Sequence, residues 1–136
     1  MEESPDTYLA MIEMYREQME NIEMQSTYVR AIIDDYVKAK LTIENLEKRE
    51  KGEILIPIGG GVFVPAKCED VSKVLVSEGV DIVIKKDLKG AKESLDRNIN
   101  ALQENLKQLN EMYQRIQSRI EELSEKVREM VGERKG

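Results

Sequence analysis

The residues with reactive side chains are few in this sequence, and their neighbours do not complete a reaction centre. No histidine occurs among the 136 residues. That removes Ser-His-Asp and Cys-His pairs, in which an imidazole takes the nucleophile's proton, and most zinc ligand sets. The single thiol, Cys68, has only Lys67 as a basic sequence neighbour. A reactive thiolate needs an electropositive site, so Cys68 reads as a small buried residue at a strand end. Gly59-Gly60-Gly61 invites comparison with phosphate-binding loops. A Walker loop needs Lys and Ser/Thr after its last glycine, where Val62 and Phe63 stand, and a dinucleotide fingerprint needs a further glycine where Val64 stands. Carboxylates are plentiful, but Glu121, Glu122 and Glu125 beside Lys126 follow the charge pattern of a solvated helix face. The expectation is a protein that is not an enzyme, with no cofactor and no metal.

Composition points to what must hold the chain together. Charged residues make up 35% and aromatics 4%, with no Trp, which suits a helix-rich chain with a thin apolar seam better than a thick core. A net charge of −6 and the absence of a basic stripe with interleaved aromatics argue against nucleic acid or an anionic membrane as partner. One cysteine cannot form an internal disulfide, so a reducing setting is expected. The acidic, polar start does not resemble a signal peptide, and the longest uncharged run, Ile54 to Ala66, is too short to span a bilayer. A cytoplasmic location follows as an expectation.

Residues 5–51 read as one helix. Ser4 caps it, Pro5 fits its first position, and Asp6 suits its positive end. Gly52, after Lys48, Arg49 and Lys51, marks its end. An apolar seam runs Tyr8, Ile12, Tyr15, Met19, Ile22, Ser26, Val29, stepping by four and three. It then changes phase to Ile32, Tyr36, Ala39, Ile43, Leu46. Ser26 reads as a small residue tolerated in the seam.

Residues 52–87 change period. Ile54, Ile56 and Ile58 lead into the glycine turn, and Val62, Phe63 and Val64 return from it as a first hairpin. After the polar break Glu69-Asp70, Val74 and Val76 are followed by a turn at Glu78-Gly79. Val80, Ile82 and Ile84 then complete a second hairpin. Pro57 and Pro65 each remove a ladder donor and belong at an edge, bulge or strand end. Two hairpins with nothing to bury against are marginal alone, so this segment reads as an assembly platform closing into a barrel with other subunits. Its subunit-assembly residues are Ile54, Ile56, Ile58, Val62, Val64, Val74, Val76, Val80, Ile82 and Ile84.

Residues 88–131 read as a second helix, capped by Asp87 and ended by Gly132. Leu95, Ile99, Leu102, Leu106, Leu109, Tyr113, Ile116, Ile120, Leu123, Val127 and Met130 alternate steps of four and three without a polar interruption. The two helices match in length, which predicts an α+β chain. It is a long antiparallel coiled-coil hairpin, residue n opposite about 139 − n, with two central β-hairpins that form an oligomeric β-barrel platform. All seven methionines then fall in the half nearer the chain termini. Leu9, Met11, Met14 and Met24 lie off the seam there, amid Glu2, Glu3, Asp6, Glu13, Glu17, Glu20 and Glu23. Flexible thioethers at such a tip suit a surface that accepts varied apolar partners.

The run from Ile54 through Gly59-Gly60-Gly61 to Val64, the second hairpin Val74 to Ile84, and flanking helices that meet at the termini together resemble the prefoldin family, in its archaeal α class. The resemblance covers nearly the whole chain and implies a single prefoldin-type domain over residues 1–136. It further implies an ATP-independent chaperone, a holdase built as a hetero-hexamer of two α and four β-class subunits. Unfolded polypeptides would be held at the coiled-coil tips and passed to a group II chaperonin, without nucleotide or metal. Carried over by position in the hairpin, the tip residues are Tyr8, Leu9, Met11, Ile12, Val127, Met130 and Val131. Some prefoldin-like chains of similar layout self-assemble, so a filament or scaffold subunit stands as the alternative.

Overall fold

The computed structural model describes residues 4–48 and 52–135, with side chains as far as residue 132. Glu2 and Glu3, and Arg49 and Lys51 at the expected end of the first helix, lie outside the described residues. The element order is α1 (Pro5–Glu47), β1 (Glu53–Gly59), β2 (Val62–Lys67), β3 (Lys73–Gly79), β4 (Ile82–Asp87) and α2 (Leu88–Lys135). Each strand pair is its own antiparallel two-stranded sheet, β1 with β2 and β3 with β4. The fold is the α+β arrangement of two long helices and two small hairpins that the sequence implies.

Local chemistry sets the helix ends. The Thr7 amide donates to Ser4 Oγ at 3.2 Å, so Ser4 caps α1 as its residue type suggests. The Gly90 amide donates to Asp87 Oδ1 at 2.7 Å and caps α2 in the same way. A Cβ on Gly90 would lie 2.8 Å from that oxygen, so a side chain there would press on the cap. Two boundaries differ from the sequence reading. α1 ends at Glu47, where the Lys48 amide turns back to Asn45 O at 3.2 Å. α2 continues through Gly132 to Lys135 and does not stop at Val131. A single exposed glycine costs a helix only about 1 kcal/mol and need not end it.

The chain divides into two compact units, Met1–Ile32 with Leu102–Gly136, and Ile33–Ala101. In the first, the terminal unit, α1 and α2 run antiparallel around a core of Tyr8, Ile12 and Leu123, with Met11, Tyr15, Ile120, Val127 and Met130 against it. Ile22, Ser26, Val29 and Leu109 are buried further along the same seam. Tyr8 lies under Lys126 and Glu23 meets Tyr113, so residue n faces about 135 − n here. The count of 139 − n assumes a helix through Lys51, whereas α1 stops at Glu47.

The second, strand-bearing unit has its own core of Ile43, Ala91 and Leu95, joined by Tyr36, Leu88, Val74 and Val76. Lys40 pairs with Asp96 at 2.8 Å and Lys92 with Glu47 at 2.7 Å. Ala39, expected in the seam, is exposed, and its neighbour Lys40 is half-buried instead. Lys40 lays its aliphatic stem along the seam while its ammonium reaches the carboxylate. All eleven apolar seam positions of α2, from Leu95 to Met130, are buried or half-buried. No buried side-chain polar atom lacks a partner among the described residues.

Candidate functional site

Two apolar surfaces stand out among the described residues. Among the described residues no group of three His, Cys, Asp or Glu side chains is placed to hold a metal. The glycine run turns β1 directly into β2, and no helix N-terminus follows it to face a phosphate. Cys68 is half-buried just past β2, its thiol donating to the Asp70 carbonyl at 3.3 Å.

The first surface is the end of the terminal unit where α1 begins and α2 finishes. The sequence assigns seven residues to it, and the structure sorts them into two roles. Tyr8 and Ile12 are buried, 6% and 5% exposed, and with Leu123 they hold the helices together. The Lys126 ammonium sits 5.6 Å from the centre of the Tyr8 ring, a cation–π contact. Met11, Val127 and Met130 are half-buried against that core. Leu9 and Val131 face outward, at 50% and 38% exposure. Thus two of the seven are core residues, and the others grade outward from them. Off the seam, Met14, Met24, Tyr28 and Met112 are exposed apolar side chains of the same unit. Tyr28 escaped the sequence reading, although its i, i+4 spacing from Met24 marks a second line on the helix.

Polar contacts stiffen this unit beside the seam. The Tyr113 hydroxyl donates to Glu23 Oε1 at 2.9 Å, and that carboxylate pushes the phenol's pKa up. The Arg119 guanidinium meets Glu122 at 3.1 Å, and Glu122 first and Tyr15 second raise its pKa further.

The second surface is the pair of hairpins, and they differ in surroundings. In β1–β2, Ile54 pairs with Ala66 and Ile56 with Val64, while Leu55 pairs with Pro65 and Pro57 with Phe63. Alternation therefore puts apolar residues on both faces. Ile56, Ile58, Val62 and Val64 are exposed on this hairpin, as are Leu55 and Phe63, which the sequence reading left out of the assembly set. Ile58 falls at a bulge and has no paired partner in the register. Gly52 enters this hairpin at φ 57°, and the Cys68 amide donates to its carbonyl at 2.7 Å. A Cβ at Gly52 would lie 2.2 Å from Cys68 O, so only glycine fits.

In β3–β4 the inner face is already covered. Val74 and Val76 lie against the Ile43, Ala91 and Leu95 core, so the expectation that the hairpins have nothing to bury against fails for this one. A polar clamp adds to it. Lys86 Nζ donates to Glu78 Oε1 at 2.5 Å and to the buried Ser94 Oγ of α2 at 2.6 Å. Arg97 donates to the same hydroxyl at 3.0 Å. Lys86 holds the Glu78 carboxyl below the usual carboxylate range, with a smaller contribution from Arg97. Ile82 and Ile84 remain exposed, whereas Val80 is not a strand residue. It sits in the turn at 90% exposure beside Asp81, whose φ is 62°. The turn, Val80-Asp81, lies two residues later than Glu78-Gly79 because aspartate tolerates the left-handed conformation, and β4 starts at Ile82.

The prefoldin-subunit family model matches residues 15–133. A prefoldin subunit alpha of Methanobrevibacter smithii is 29% identical over 125 residues, covering 92% of this chain and 86% of that one. Prefoldin subunit alpha 1 of Methanocaldococcus jannaschii is 33% identical over 123 residues, covering 85% and 82%. Among solved structures, a cryo-EM structure of filamentous PFD from M. jannaschii shares the fold with a TM-score of 0.54. It is 23% identical and covers 90% of this chain and 96% of that one. The chain belongs to the prefoldin family. Within it, the chain is of the archaeal alpha class, a chaperone component and not an enzyme. Both relatives are named as subunits. No helix among the described residues is long and apolar enough to cross a membrane.

Proposed function

We propose that this chain is the α-type subunit of an ATP-independent holdase that captures non-native polypeptides at the end of its terminal unit and passes them to a group II chaperonin. One observation carries the reading: Leu9, Met14 and Val131 stand exposed around a stiff core of Tyr8, Ile12 and Leu123. Half-exposed methionine and leucine present apolar area without a fixed shape, which suits clients of no fixed sequence. The whole chain acts as one domain of the prefoldin type. Its hairpins join those of four β-class subunits and a second α-type copy in a β-barrel body, placing several weak sites together in the cytoplasm.

Removing the first and last dozen residues tests this. Suppression of client aggregation should be lost while the native mass of the remaining assembly falls only by the deleted residues. Retained suppression, or collapse of the assembly, counts against the reading. A second reading, a self-assembling filament or scaffold subunit, is supported by the fold neighbour's filamentous state. Sedimentation of the chain alone and with a β-class subunit separates the two. A large homopolymer that ignores the second subunit and protects no client favours the filament.

A further inference from the structure

Resting on the holdase reading, a second surface of the terminal unit carries its own selectivity. On α1, Met24, Tyr28 and Ala31 follow at i, i+4 and i+7 on the side away from the buried Ile22, Ser26 and Val29. Met24 is 71% and Tyr28 70% exposed, the two most open large apolar side chains on that helix. They line a shallow groove with Glu20, Glu23, Thr27 and Ala31. Toward the helix N-terminus the same line continues through Glu20, Glu17 and Glu13, all exposed. Glu23 is engaged by Tyr113, but no Lys or Arg among the described residues lies within ion-pair distance of Glu13, Glu17 or Glu20. The line is thus an apolar block joined to a carboxylate block whose one internal cation, the exposed Arg16, pairs with none of the three.

We propose that this line binds unfolded segments in which an apolar stretch adjoins a run of lysine or arginine. The apolar stretch covers Met24 and Ala31. The cations meet Glu20, Glu17 and Glu13 in turn, and the open face of Tyr28 accepts one more by cation–π contact. A segment with acidic flanks is repelled by the same carboxylates, so selectivity comes from both signs. Exposed pairs are individually weak. Three together give about a threefold to tenfold preference for basic over neutral flanks, screened by salt.

Fluorescence anisotropy on the full chain in its native assembly tests this with three labelled peptides. They share one apolar centre and carry Lys, Ser or Glu flanks. The Lys-flanked peptide should bind tightest and the Glu-flanked one weakest, and the spread should shrink in about 0.5 M salt. Glu17→Gln with Glu20→Gln should bring the Lys-flanked peptide down to the Ser-flanked level. Met24→Ser with Tyr28→Ser should weaken the Lys-flanked peptide several-fold while sedimentation stays unchanged. Equal affinity for all three peptides overturns the inference. So does a loss of native mass in the Met24/Tyr28 variant, which would show another copy covering the line. If aggregation suppression persists without flank selectivity, only this inference fails. If the chain binds no peptide and protects no client, the holdase reading fails with it.

Discussion

The two hairpins have nearly the same length and pairing, yet they are held in different ways. β3–β4 is fastened to its own chain by Val74, Val76 and the Lys86–Ser94 contact. β1–β2 shows apolar side chains on both faces, with Leu55, Ile56, Phe63 and Val64 all exposed. An isolated two-stranded hairpin is marginal in water. One hairpin therefore draws its stability from within the chain, and under the proposed function the other draws it from subunits around it. The difference separates intrinsic folding from assembly, and it can be broken from either side.

The largest effect is expected at the free hairpin. Leu55→Glu with Phe63→Glu should leave helix content unchanged by circular dichroism and reduce the native mass to small species. An unchanged mass would mean that the faces of β1–β2 are not an interface. Next comes Leu95→Ala, which opens a cavity beneath the fastened hairpin at a cost of about 2–4 kcal/mol in urea unfolding. Hydrogen exchange should then speed up in β3–β4 and not in β1–β2. Equal acceleration in both would erase the contrast.

Gly52→Ala acts on the other hairpin, through backbone conformation and the clash with Cys68 O, and should cost at least about 2 kcal/mol. The signature is faster exchange at Cys68 and the open end of β1–β2. The smallest effect is a pH response. The Glu78 carboxyl is held below its ordinary range by Lys86, so its contribution is present above the unfolded value and is lost as pH falls through the folded one. Protection of β3–β4 should weaken in acid below the usual carboxylate range. Glu78→Gln should flatten that dependence, and an identical acid profile in the variant would remove the clamp from the account.

Much of this was legible in the residues. The unbroken seam of α2, the caps Ser4 and Asp87, and both hairpins follow from period and residue type alone. What escaped depends on distance in the chain. Val74 and Val76 alternate like any half-buried strand, and nothing local says that Ala91 and Leu95 lie beneath them. The clamp joins Glu78 and Lys86 on strands to Ser94 and Arg97 on a helix, with no motif to announce it. At the helix ends, Tyr8 and Ile12 carry seam spacing, and they are buried as that spacing implies, since seam residues stay covered as long as the partner helix reaches them. Ala39 shows the opposite: small and apolar in type, it is displaced from the seam by a lysine with a long stem and a carboxylate to meet.

The contact between Gly52 and Cys68 bears on how such a chain changes over generations. The polypeptide leaves for the first hairpin and comes back at one point, with carbonyl and amide 2.7 Å apart. Everything from Glu53 to Lys67 is therefore a cassette spliced in at a single doorway. Its length and its surface can vary while the two ends it grows from stay where they are.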